Sequence, residues 1–206
     1  MKKLASTLLF GSAVAVATVE TSEAADNTLV DLRTYVHDLV VSKPYATANN
    51  FTGQVVYPAS DKELSGVCKM NKSAAGRIEV ADRYLKAHGF PEWKLMAWDC
   101  YRPAAAQTLL WNSYGCDSNP SKCGGYIAAP GRSKHNSGYA IDLTLADGNG
   151  RALEMPTGYD NFSRAAHPST FTFGNNMSEN HWYTLNEAMT AAGCKGNPSE
   201  WWHYDC

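Results

Sequence analysis

The run Ala140-Ile141-Asp142-Leu143-Thr144-Leu145 places a carboxylate inside an otherwise apolar stretch. Such a run reads as a strand over 139–145, with Ala140, Asp142 and Thr144 on one face and Ile141, Leu143 and Leu145 on the other. Burying a carboxylate among such neighbours is costly unless it is paired or bound to a metal. The fold must therefore bring a cation to the middle of this strand. Just upstream, Ser133-Lys134-His135-Asn136-Ser137-Gly138 supplies a histidine seven residues before Asp142, on a loop that Gly138 allows to fold back. Taken alone, Asp142 reads equally well as a cap or salt-bridge partner, and His135 as a loop residue.

The stretch Glu200-Trp201-Trp202-His203-Tyr204 shifts that balance. A catalytic zinc needs about three ligands from His, Asp or Glu plus an open position. His135, Asp142 and His203 form such a set. Glu200 and His203 would point to opposite faces of a strict strand. A turn at Pro198-Ser199 that enters the strand at Trp201 brings both to one site. A glutamate there can take a proton from water and return it to a leaving amine. His37, His88, His167 and His181 read as structural or exposed, and the six tryptophans as core and site wall.

The rest of the chain builds around this site. Lys2 and Lys3, the apolar run Leu8 to Val19 and the small residues around Ala24 form a secretory signal peptide, residues 1–24. Residues 25–206 are then one domain. An uncleaved anchor is the alternative, but the run is short for a membrane span. The composition, 44% hydrophobic and 18% charged, supports an ordinary core. A net charge of −2 with no basic cluster points away from nucleic acid and toward a small partner or a cell-envelope polymer. Six cysteines in an exported chain suggest disulfides. Cys116–Cys123 would close a short loop and Cys194–Cys206 would tie the chain back to a helix end, leaving Cys68–Cys100. Six cysteines allow fifteen connectivities, and sequence does not choose among them.

The periodicities predict helices over 73–88, with Ser73 as cap, over Ala104–Tyr114, and from Ser178 to Gly193. Strands are expected at Trp93–Asp99, at 139–145 and at Trp201–Tyr204. Residues 26–60 carry both helical and β-branched signals, and their type stays open. Pro103 suits a first helical position and keeps Arg102 extended at a strand-to-helix corner. The fold class is α+β: an antiparallel sheet bears the zinc site, with helices packed against it.

The set Ser133-x-His135-x-x-Gly138-x-Ala140-x-Asp142 followed by Glu200-x-Trp202-His203 resembles the zinc D-alanyl-D-alanine dipeptidases of the VanX type, peptidase family M15. Tyr45-Ala46-Thr47-x-x-Asn50-Phe51-Thr52-Gly53 and Trp98-Asp99-x-Tyr101-Arg102-Pro103 fit the same pattern in the same order. The resemblance implies a hedgehog/DD-peptidase-like fold and one zinc ion held by His135, Asp142 and His203. It also implies Glu200 as general base and acid, and Arg102 as stabiliser of the oxyanion. Ser133 would bind the substrate carboxylate, while Tyr45 and Asp160 would line the pocket for its ammonium. The segment before Asp160 departs from the family, with Pro156 preceding Thr157 and Gly158. The implied activity is hydrolysis of D-Ala-D-Ala by a periplasmic or secreted enzyme with no stable membrane insertion. Alternatives are a D,D-carboxypeptidase or endopeptidase on wall peptides, and a non-catalytic zinc-stabilised binding domain.

Overall fold

The computed structural model describes residues 28–206; the expected signal peptide lies outside them. In chain order the regular elements are β1 (Leu29–Asp31), β2 (Val40–Val41), α1 (Lys62–Ser65), β3 (Lys69–Asn71), α2 (Lys72–Ala87), β4 (Lys94–Asp99), α3 (Ala104–Tyr114), β5 (Ala140–Ala146), α4 (Met177–Ala191), β6 (Lys195–Asn197) and β7 (Glu200–Asp205). Within the open segment, the described residues 28–60 form β1, β2 and short 3-10 turns, with no α-helix among them. No helix among the described residues is long and apolar enough to cross a membrane.

Five strands form one sheet in the order β2-β4-β5-β7-β6, antiparallel except for the short edge strand β2, which runs parallel to β4. β1 and β3 make a separate antiparallel pair. The fold is α+β, as the sequence predicts. The alternation along β5 sets the layers: Ile141, Leu143 and Leu145 join the main core with Ile78 and Leu85 of α2 and Trp182, Leu185 and Met189 of α4. All seven residues of β5 are buried, which makes a partner for Asp142 obligatory.

Helix starts depart from expectation in one consistent way. Asn71, not Ser73, caps α2, its Oδ1 accepting from Ser73 N at 3.0 Å. Asn176, not Ser178, caps α4, accepting from Glu179 N at 2.8 Å. An asparagine at the junction reaches the free N–H groups one turn earlier than the serine two positions on. Pro103 lies at the residue before α3 with extended ψ of 151°, and Gly115 ends that helix at φ +83°. Cys68–Cys100, Cys116–Cys123 and Cys194–Cys206 are all joined.

Two irregularities steer side chains toward one place. Between Ala97 and Asp99 the β4–β5 register shifts, so that Ala97 opposes Leu143 and Asp99 opposes Asp142. The extra residue, Trp98, turns Asp99 onto the face of Asp142. Between β6 and β7 the register jumps from Gly196–Tyr204 to Asn197–Glu200. This wide irregularity does the work expected of a turn entering at Trp201; the strand itself begins one residue earlier, at Glu200.

Gly138 ends the 3-10 turn that carries His135, at φ +74°. A Cβ there would meet Leu29 Cδ2 at 2.6 Å and Asn71 N at 2.7 Å, whereas Gly131, at φ +75°, has nothing within 4 Å. Gly131→Ala should lose about 1 kcal/mol from the left-handed backbone, and Gly138→Ala clearly more, about 2–4 kcal/mol. Urea unfolding of both variants measures the difference, and equal losses would remove the role given to close packing.

Candidate metal centre and active-site cleft

Asp142 is 3% exposed and directly opposes His203 across the β5–β7 ladder, so the two share a face. His135 joins them from the turn before β5. Three atoms converge: His203 Nδ1 lies 2.9 Å from Asp142 Oδ1, His135 Nε2 lies 3.4 Å from the same oxygen, and the two nitrogens are 3.2 Å apart. Ligands held ~2.0–2.1 Å from a tetrahedral ion lie about 3.3 Å from one another. The set therefore fits a small divalent ion, and among the described residues it is the one cluster with that spacing.

The outer nitrogens fix the tautomers. His135 Nδ1 faces the Cys100 carbonyl at 2.7 Å, which can only accept, so this nitrogen carries the proton and Nε2 presents its lone pair. His203 Nε2 faces Asp205 Oδ1 at 3.2 Å, which leaves Nδ1 for the centre. Asp142 also accepts from Tyr159 OH at 2.8 Å through Oδ2. Burial acts to raise the Asp142 carboxyl, but the two histidines outweigh it and hold it well below the usual carboxylate range. Burial acts to lower His203, yet its bonds to Asp142 and Asp205 push it up to about 10.

Arg102 stands at the strand-to-helix corner, 8% exposed rather than on the surface. Asp99 Oδ2 accepts from its Nε at 2.8 Å and pairs with Nη2 at 2.7 Å, and Gln107 Oε1 accepts from Nη1 at 2.8 Å. Asp99 is in turn held by Tyr57 OH at 2.8 Å and by Cys100 N at 2.9 Å. Gln107 passes the order on to the Ala128 carbonyl at 2.7 Å. The guanidinium thus reaches within 3.7 Å of Asp142 Oδ2 on a fully bonded support.

A cleft of about 460 Å³ opens over the cluster, lined by Arg102, Ser133, His135, Asp142, Glu200 and His203, with Tyr45 and Asp160 also in its wall. Every site residue singled out in the sequence meets there. Glu200 is 6% exposed, accepts from Asn197 Nδ2 at 2.9 Å, and is pushed up to about 8 by burial. Ser133 caps the His135 turn, its Oγ accepting from His135 N at 3.3 Å. Tyr45 OH donates to Asp160 Oδ2 at 3.0 Å. Asp160 has φ +56°, and burial with the nearby Asp142 charge raises its carboxyl well above the usual range.

Gln107, Tyr159, Asn197 and Asp205 escaped the sequence reading as site residues, and Asp99 stood in it only as part of a matched motif, with no role. Asp205 had a usable signal, since it lies two residues after His203 on one strand face. Gln107 had none, because its contact spans the start of a helix and depends on how α3 is placed.

Residues 25–206 match the Peptidase_M15 family, described as D-ala-D-ala dipeptidase. The chain is 33% identical over 180 residues to a D-alanyl-D-alanine dipeptidase of Escherichia coli (strain K12), covering 86% of this chain and 83% of that protein. This chain belongs to the D-Ala-D-Ala dipeptidase family. Membership makes it a hydrolase of the peptidase class. It is also 27% identical over 194 residues to a D-alanyl-D-alanine dipeptidase of Enterococcus faecalis (strain ATCC 700802 / V583), covering 87% of this chain and 91% of that one. Among solved structures, the vancomycin resistance D,D-pentapeptidase VanY in complex with Zn(II) has a TM-score of 0.43 and 16% identity, over 69% of this chain and 75% of that one.

With His203 pushed up to about 10, the metal-free protein carries an imidazolium at neutral pH, and an ion taking Nδ1 must displace that proton. Calorimetric titration of zinc into the metal-free Glu200→Gln variant at pH 7, in buffers of different ionisation enthalpy, should read about one proton released per ion. Affinity should fall about tenfold per unit as pH drops, because the concentration of the competing proton rises tenfold per unit. Binding without proton release would contradict the ligand assignment.

Proposed function

We propose that residues 25–206 form an exported zinc dipeptidase domain, behind a signal peptide at 1–24, that hydrolyses the free D-Ala-D-Ala dipeptide. The observation that carries this reading is the meeting of a His-Asp-His cluster, a buried glutamate and a buried arginine in one cleft. The three disulfides support an oxidising compartment, periplasmic or extracellular. His135, Asp142 and His203 would hold one zinc ion. When bound, zinc supplies Lewis-acid polarisation and lowers the pKa of water at the site.

The chain's own groups do the remaining work. Glu200 accepts the proton of the attacking water and hands it to the departing amine. It must be ionised to begin, and a divalent cation bound in the same cleft would draw down the pKa that burial has raised. Arg102, immobilised by Asp99 and Gln107, faces the negative charge that develops on the carbonyl oxygen, with little reorganisation needed. Ser133 receives the substrate carboxylate. Asp160, with Tyr45, receives the ammonium, and that ion pair would return the Asp160 carboxyl to its charged form. The rings of Tyr45, Phe51 and Phe162 pack around this end, with Phe51 and Phe162 centroids 5.1 Å apart. This wall supports a preference for a free dipeptide over a longer chain.

Zinc-loaded protein should release alanine from free D-Ala-D-Ala and act far more slowly on an amino-blocked tripeptide. Glu200→Gln should lower kcat about 10²–10⁴-fold while zinc content stays at one per chain. Arg102→Ala should lower it about 10²–10³-fold. Equal rates on the blocked tripeptide would favour a D,D-carboxypeptidase. Absence of alanine release, with Glu200→Gln indistinguishable from the parent, would leave only a zinc-stabilised binding domain.

A further inference from the structure

The Cys194–Cys206 disulfide has no part in the chemistry above, and Asp205 enters it only through its contact with the outer nitrogen of His203. Asp205 lies two residues beyond His203 on β7, so the two side chains project from the same face. Its Oδ1 is 3.2 Å from His203 Nε2, the nitrogen turned away from the metal cluster. The Asp205 backbone is paired on both sides, with Ala140 of β5 and Lys195 of β6. The neighbours of that last pair, Cys194 and Cys206, are disulfide-bonded, and Cys206 N donates to the Tyr139 carbonyl at 2.7 Å. The carboxylate is therefore fixed in place where the short β6–β7 ladder would otherwise fray.

The second imidazole is treated alike. His135 Nδ1 meets the carbonyl of Cys100, which is bonded to Cys68. Each histidine of the cluster thus has its outer nitrogen held by a group at, or next to, a disulfide. A carboxylate on the remote N–H of a metal-binding imidazole fixes its tautomer and ring orientation and raises its basicity.

We propose that Asp205 is a positioning residue for the metal site, orienting His203 for the ion, and that the Cys194–Cys206 disulfide holds Asp205 in place so that metal affinity depends on that bond. The inference rests on the reading of His135, Asp142 and His203 as the metal ligands. A side chain that is 44% exposed could instead be a solvated carboxylate at a strand end, so the test must separate support of the metal from support of the fold.

Zinc affinity is measured by competition with a chromophoric chelator, alongside the melting temperature of each metal-free protein. Asp205→Ala should bind zinc about 10–100-fold more weakly, while its metal-free melting temperature falls only by what losing one half-exposed ion pair costs. Asp205→Asn, whose amide oxygen still accepts from Nε2–H, should recover most of that loss. The Cys194→Ser/Cys206→Ser double variant should also weaken binding, and Asp205→Ala added to it should cost less than in the parent. His203→Ala is the control for the ligand set. If His203→Ala loses zinc but Asp205→Ala keeps parental affinity, the positioning role is overturned. Fully additive losses from the cysteine and aspartate changes would overturn the disulfide coupling. If His203→Ala itself binds like the parent, the ligand assignment has failed, and this inference falls with it.

Discussion

The architecture turns on one buried carboxylate. Asp142 lies in a strand whose seven residues are all buried, and water is not available to stabilise its charge. The fold surrounds it instead: His203 across the ladder, His135 from the preceding turn, Tyr159 on the second oxygen, and Arg102 at longer range. Breaking a buried pair by removing one partner generally costs about 3–5 kcal/mol, because the other charge is left stranded. The same arrangement that satisfies Asp142 also makes a cation site. At Asp142, stability and metal binding therefore draw on the same contacts.

Around this centre the protein separates two kinds of rigidity. The core side of β5 is apolar and close-packed against α2 and α4. The cleft side is a polar network of assigned donors: Arg102 donates to Asp99 and Gln107, Tyr57 to Asp99, and Asn197 to Glu200. Such networks are strong only when complete, since a half-satisfied one is worse than an apolar core. The aromatic wall formed by Tyr45, Phe51 and Phe162 closes the network at one end, and its one polar group, the Tyr45 hydroxyl, donates to Asp160.

Much of this was legible in the sequence because the relevant signals are local. An apolar run interrupted by Asp142 announces a buried carboxylate, and Gly138 announces the fold-back that brings His135 to it. The lengths of α2, α3 and α4 follow from their apolar spacing. What remained hidden depends on register. The sequence contains no mark that Trp98 is an extra residue in β4, yet this alone turns Asp99 toward Arg102. Nor does it show that Asn176 rather than Ser178 begins α4, because both residue types cap helices and only the path of the preceding loop decides. The segment 26–60 was ambiguous because its order comes from tertiary contacts: β2 has two residues and exists only beside β4.

The extra residue in β4 acts like a frameshift in the alternation of side chains. On the Lys94–Ala97 side of Trp98 the strand obeys one parity, and beyond it the opposite one. Were Trp98 to pair regularly with β5 instead of being the extra residue, the strand's length, composition and hydropathy would be unchanged, and such regular pairing would look harmless. It would nevertheless send the Asp99 carboxylate toward the apolar layer and leave the Arg102 guanidinium without its principal partner. The sheet thus stores information in its pairing register rather than in any one side chain: whether two residues or one oppose Asp142 decides which layer receives Asp99.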